Sequence, residues 1–239
     1  MLIQKKIFNT IKKSCNKGRD LNIITIDGIT CAGKTYFATL LKNDLQKTFG
    51  NVFILSKDLF LLSRKQRIKI IKKINKKTSI KQNDLHYDLK KVIKVLKIFK
   101  NRDKKRKVVL SGLYNRKTGN NNMKIVFNFK KKVIIIFEGL YVLDDLKSII
   151  KPTFKVLIIN NIYNSLIRKI QRIRDKKISI QNVVTEFTNL HIKSFNNYLF
   201  KNKFDISIEG KKNDFIKINN GRNNQIKLIN KFKSKHLFL

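Results

Sequence analysis

Asn22-Ile-Ile-Thr-Ile-Asp-Gly28-Ile-Thr-Cys-Ala-Gly33-Lys34-Thr35-Tyr-Phe-Ala-Thr-Leu-Leu-Lys-Asn-Asp-Leu-Gln46 is the stretch that decides the fold. Asn22 to Asp27 is a short apolar run that reads as a buried strand, and Thr35 to Gln46 carries apolar residues at helical spacing. Between them Gly28 to Thr35 completes G-x-x-x-x-G-K-[ST]. Strand, glycine loop and helix in that order are the context that turns this pattern into a phosphate-binding loop. Gly28 and Gly33 let the chain turn tightly, so that N–H groups along Ile29, Thr30, Cys31 and Ala32 face inward on phosphate oxygens. The helix opening at Lys34 adds its positive end. Lys34 reaches β- and γ-phosphates, and the Thr35 hydroxyl suits Mg2+.

Working outward, Asn51-Val-Phe-Ile-Leu-Ser56 reads as a second buried strand and runs into Lys57-Asp58-Leu-Phe60. Residues 64–81 are basic with Ile at intervals, predicting a surface helix and loop, and Leu89 to Phe99 predicts an amphipathic helix. Two β-like runs, Lys107 to Tyr114 and Met123 to Phe129, flank a Gly/Asn turn and predict a hairpin. Lys132 to Phe137 is the most apolar strand and ends at Glu138-Gly139. Phe154 to Ile159 and Phe204 to Ile208 read as further strands, with basic helices over Asn164 to Arg174 and Val183 to Leu199 between them. From Gly210 to Leu239 a strand and a terminal helix are expected. Strands alternating with helices predict an α/β fold with a parallel sheet and helices on both faces. Ligands of such sheets bind beyond the carboxyl ends of the strands, where Gly28, Asp58 and Glu138 all fall.

The chain has 239 residues and a formal net charge of +40. Such a charge suits nucleic acid or another anionic surface, and salt-sensitive nonspecific nucleic-acid binding is expected from it. The lysines are dispersed, however, and abundant Lys, Asn, Ile and Phe beside a single Pro are what AT-rich coding imposes. With only 15 Asp and Glu in the chain, an acid closing an apolar strand stands out, which singles out Asp58 and Glu138. The two cysteines, Cys15 and Cys31, form no metal pattern or disulfide framework, in keeping with a reducing cytoplasm. No apolar run is long enough to span a bilayer, and neither a membrane partner nor a secretory leader is expected. The basic start of the chain reads as an amphipathic helix ahead of the first strand. The expected organisation is a basic helix over 1–21, the main domain over 22–209 and a tail over 210–239 packed on it. Oligomeric state is left open, a homo-oligomer included.

Taken in order from about residue 22 to residue 208, these segments resemble the uridine kinase and phosphoribulokinase-like family of P-loop kinases. Leu55-Ser-Lys-Asp58-Leu-Phe60 resembles its second-strand motif, Tyr114-Asn-Arg-Lys-Thr-Gly119 its hairpin segment, and Ile135-Ile-Phe-Glu138-Gly139-Leu140 its metal-binding strand end. Ile167-Arg168-Lys169-Ile-Gln-Arg172-Ile-Arg174 resembles its lid helix. The resemblance implies an NMP-kinase-like P-loop NTPase fold and transfer of the ATP γ-phosphoryl group to a hydroxyl of a small molecule, first of all a nucleoside such as uridine or cytidine. It implies Asp58 as catalytic base, Lys34 as phosphate clamp, and Thr35 with Glu138 around Mg2+. Arg172 (or Arg174) would close over the phosphates, and Asp84, Tyr114, Arg168 and Lys169 would meet the substrate.

The departures concern the acceptor. Leu61 stands where uridine-using members have an aromatic residue, and Gly119 where they read the base with a His. The lid continues as Lys176-Lys-Ile-Ser179 in place of an Arg-Gly-Arg run. Another acceptor therefore stays open (a sugar phosphate, pantothenate or glycerate), as do a non-catalytic descendant and a nucleic-acid-stimulated NTPase. A GTPase reading fails because Asn75-Lys-Lys-Thr78 lacks the Asp of a base-reading motif.

Overall fold

The computed structural model describes residues 2–15, 18–73, 86–101, 107–129, 132–173, 179–211 and 214–220. At its centre lies a six-stranded sheet. β1 (Leu21–Gly28) sits between β5 (Val133–Gly139) and β6 (Phe154–Ile159). β2 (Val52–Ser56) flanks β5, and β7 (Ile206–Lys211) flanks β6. These five strands run parallel, and β8 (Asp214–Asn220) closes the edge antiparallel to β7. The tail thus begins as an edge strand, while the expected terminal helix falls outside the described residues.

The apolar character of β5 follows from having cores on both sides. Ile134 and Ile136 pack into one core with Ile24 and Ile26 of β1, whereas Val133, Ile135 and Phe137 pack into the other with Ile23. Period-two alternation is present, but both faces are apolar, as in a parallel sheet covered twice. On the first face lie α1 (Leu2–Cys15), through Ile7, Phe8 and Ile11, and α2 (Lys34–Phe49), through Phe37, Ala38, Leu41 and Leu45. On the second face lie α4 (Leu89–Lys100), through Val92, Val95, Leu96 and Phe99, and the hairpin of β3 (Lys107–Leu113) and β4 (Met123–Asn128). A short helix, α3 (Arg64–Lys73), precedes α4, and α5 (Val142–Leu146) follows β5.

After β6 comes α6 (Ile162–Ile173). The single helix expected over 183–199 is built as three pieces: α7 (Ile180–Glu186), a π-helical segment (Phe187–Ile192) and α8 (Lys193–Lys201). Phe187 and Phe195 are both buried in the first core. Eight residues at 3.6 per turn would rotate Phe195 about a fifth of a turn away from Phe187. The wider π turns take up that rotation and keep both rings inward. The expected strand from Phe204 begins at Ile206 instead. No helix among the described residues is long and apolar enough to cross a membrane.

Candidate active site

The loop after β1 turns over the end of the sheet. A Cβ on Gly28 would lie 2.6 Å from the Ile158 carbonyl oxygen of β6, so only glycine lets the two backbones approach this closely. Further on, Cys31 (φ 61°) and Gly33 (φ 101°) take left-handed conformations that curl the loop round its own N–H groups. Ile29 and Ala32 point into the core and anchor the loop, while Thr30, Cys31, Gly33, Lys34 and Thr35 line a cleft of about 320 Å³. Gly33 caps α2 without a side-chain hydrogen bond, and no acid lies in the first turn. The first-turn N–H groups of a helix have no partners within it, so this end is open to an anion. Lys34 Nζ donates to the carbonyl oxygens of Gly28 and Ile29, both at 2.9 Å. Burial pushes its pKa down, against the attraction of Glu138 and Asp58.

Glu138 closes β5, paired in register with Ile26 on one side and Ser56 on the other. Thr35 Oγ1 donates to Glu138 Oε1 at 3.2 Å. Burial raises the Glu138 pKa, and the Lys34 charge opposes the rise. These two hard oxygen donors, side by side beneath the loop, have the donor chemistry that Mg2+ takes.

Asp58 also lines the cleft, from the 3-10 turn Lys57–Phe60 that follows β2. Tyr87 OH donates to its Oδ1 at 3.2 Å, and Arg116 of the hairpin turn pairs with its Oδ2. Tyr87 is brought there by a bridge between Leu61 and Tyr87. Lys57 is buried, ion-paired to Asp145 at 2.6 Å, and donates to the Leu140 carbonyl at 2.8 Å. Its Nζ also sits 4.8 Å from the centre of the Tyr87 ring. The residue before Asp58 thus ties β2, β5 and the Tyr87 segment together.

Lys169 and Arg172 of α6 complete the cleft, while Arg168 donates to the Cys31 carbonyl at 3.4 Å. Tyr114, expected at the acceptor, is buried and instead accepts a 2.8 Å hydrogen bond from Arg67 Nη2. The side chain facing the cleft is Arg67, with Tyr114 behind it. Asp84 and Arg174 lie outside the described residues. Among those described, no group of three or more His, Cys, Asp or Glu gathers into a metal cluster.

No family model matches the chain, and no curated protein matches it in sequence. Its structure does have solved neighbours. A structure from Bacillus stearothermophilus described as a possible uridine kinase superposes with a TM-score of 0.56 at 17% identity, over 84% of this chain and 93% of that one. D-glycerate 3-kinase from Cryptococcus neoformans superposes with a TM-score of 0.63 at 12% identity, over 92% and 99%. The fold is that of the P-loop kinases. Identities this low establish architecture and leave the acceptor undetermined, since the two neighbours are named for different ones.

Within this P-loop kinase fold, four side chains of the site escape a reading by sequence. Arg116 lies inside the Tyr114 segment but beside a second basic residue, Lys117, and Arg67 lies in a stretch dense in basic residues. Lys57 looks like a surface lysine. Asp27 looks like the last residue of a strand, yet it is fully buried, accepting from Tyr198 OH at 2.7 Å and from Val142 N–H at 3.0 Å. The only sequence signal for Asp27 is a carboxylate beside a glycine loop in a chain poor in acids.

Proposed function

We propose that this protein is an ATP-dependent kinase that transfers the γ-phosphoryl group to a hydroxyl of a small molecule. The observation that carries the reading is the convergence, in one cleft, of the glycine loop with Lys34, the Thr35–Glu138 pair and Asp58. The loop N–H groups and the open end of α2 bind the triphosphate, with Lys34 beside it. Thr35 and Glu138 would hold Mg2+, which when bound offsets charge on the phosphate oxygens. Asp58 accepts the acceptor's hydroxyl proton as that oxygen bonds to the γ-phosphorus and the bond to ADP breaks. Lys169 and Arg172 neutralise the charge of the transferring group. Its structural neighbours, kinases by name, support this reading at the level of the fold.

The test is ADP release from ATP and Mg2+ across hydroxyl acceptors, with Lys34→Ala as blank. Release should depend on an acceptor and fall by about 10³-fold or more in Lys34→Ala. Asp58→Asn should lower kcat by about 10²- to 10⁴-fold while ATP still binds in a nucleotide titration. An Asp58→Asn enzyme with unchanged kcat would return that carboxylate to a structural role.

A further inference from the structure

We infer that the acceptor carries an anionic group of its own, a phosphate or a carboxylate, which Arg67 and Arg116 bind. The inference rests on the kinase reading and deepens it. The cations that line the cleft come from two sets of segments. Lys34 of the phosphate loop and Lys169 and Arg172 of α6 are the cations that the kinase reading gives to the triphosphate. Arg67 of α3 and Arg116 of the hairpin turn belong to the Asp58 side, where the acceptor must lie if Asp58 takes its proton.

Arg67 is held in place by neutral groups. Its Nη2 donates to Tyr114 OH at 2.8 Å, its Nε donates to the Leu62 carbonyl at 3.0 Å, and its guanidinium lies 5.0 Å from the centre of the Tyr114 ring. No carboxylate among the described residues pairs with it, and its Nη1 has no hydrogen-bond partner among them. A guanidinium fixed by two of its nitrogens and facing a cleft without a counter-ion is ready for an oxyanion, whose geometry its fork matches.

Arg116 has an acid partner, but that partner is Asp58 itself. While the pair holds, one oxygen of the base is engaged by Arg116 and the other by Tyr87. An oxyanion on the acceptor competes for Arg116 and frees the Asp58 oxygen for the hydroxyl proton. A neutral nucleoside brings no group able to do this. The same charge would thus select the acceptor and release the base, so that an uncharged alcohol or water meets a base still occupied. The remaining cleft acid, Glu138, accepts from Thr35, and its charge also acts on Arg116, though less than that of Asp58 does.

The experiment compares matched acceptors differing in charge: glycerate against glycerol, pantothenate against panthenol, ribulose 5-phosphate against ribulose, with uridine and cytidine alongside. ADP release is measured for the wild type, Arg67→Leu and Arg116→Leu, and nucleotide titration of each variant reports an intact ATP site. The expected result is an anionic acceptor whose kcat/KM exceeds that of its neutral twin by about 10²-fold. Which pair responds separates phosphate from carboxylate. Arg67→Leu should raise KM for that acceptor by about 10-fold or more at unchanged ATP affinity, and Arg67→Lys should recover part of the loss. Arg116→Leu should narrow the gap between the twins. A neutral twin used as well as the anion, a nucleoside used best, or an acceptor KM unmoved in both leucine variants would overturn the inference and leave the kinase intact. Turnover with no acceptor at all, with ATP bound, would sink the kinase reading and this inference with it.

Discussion

Asp27 shows how a single residue can set a property of the whole fold. Burial raises its pKa to about 7, in spite of the Tyr198 and Val142 hydrogen bonds and the charges of Lys57 and Lys34, which act to lower it. Its unfolded value is near 3.8, so the folded state binds the proton more tightly than the unfolded chain does. Its contribution to stability is therefore fully present below about pH 4 and is lost as pH rises through about 7. Asp27→Asn removes this titration. Between about pH 5 and about pH 8, wild-type stability should fall relative to the variant by on the order of 2 kcal/mol, read from urea midpoints at each pH. Parallel pH profiles would mean that Asp27 ionises normally in the folded protein. Lys34, Thr35, Asp58 and Glu138 could be picked out from sequence because motif and strand-end position narrow their surroundings. Asp27 could not, since its behaviour comes from burial among segments remote in sequence, those of Val142 and Tyr198 included.

At the level of elements, the hairpin is what carries Arg116 to the cleft and Tyr114 to Arg67. It is seated by a cluster of phenylalanines. Phe127 packs edge-on against Phe53 of β2 at 5.3 Å and Phe99 of α4 at 5.2 Å, and Phe129 meets the same two rings at 5.8 Å and 5.4 Å. Phe127→Ala opens a void where little can collapse, at a cost of about 3–5 kcal/mol. If that void loosens the hairpin, the acceptor KM should rise more than the ATP KM, as measured by steady-state kinetics below the unfolding temperature. Equal effects on both would mean that the hairpin does not position the acceptor side. The hairpin itself was legible from its two alternating runs and Gly/Asn turn. The π segment was not, because the need to turn Phe187 and Phe195 to one side arises only once both are packed on the sheet.

The whole molecule carries a net charge of +40, which repels itself in the compact state. Raising NaCl from about 0.02 M to about 0.3 M shortens the range of that repulsion and should raise Tm by several degrees. A flat or falling Tm would mean that local ion pairs outweigh the net field. The sequence by itself determined the phosphate loop, the order of strands and helices, and which acids close which strands. Each of these depends on neighbours within one turn or one strand, so a short window contains its cause. Only the tertiary structure decided that Tyr114 supports Arg67 instead of lining the cleft, that Arg116 occupies Asp58, and that a lysine beside the base is buried. Those outcomes depend on contacts between segments tens of residues apart. In a chain where basic residues are everywhere, composition cannot say which arginine faces the cleft and which faces water.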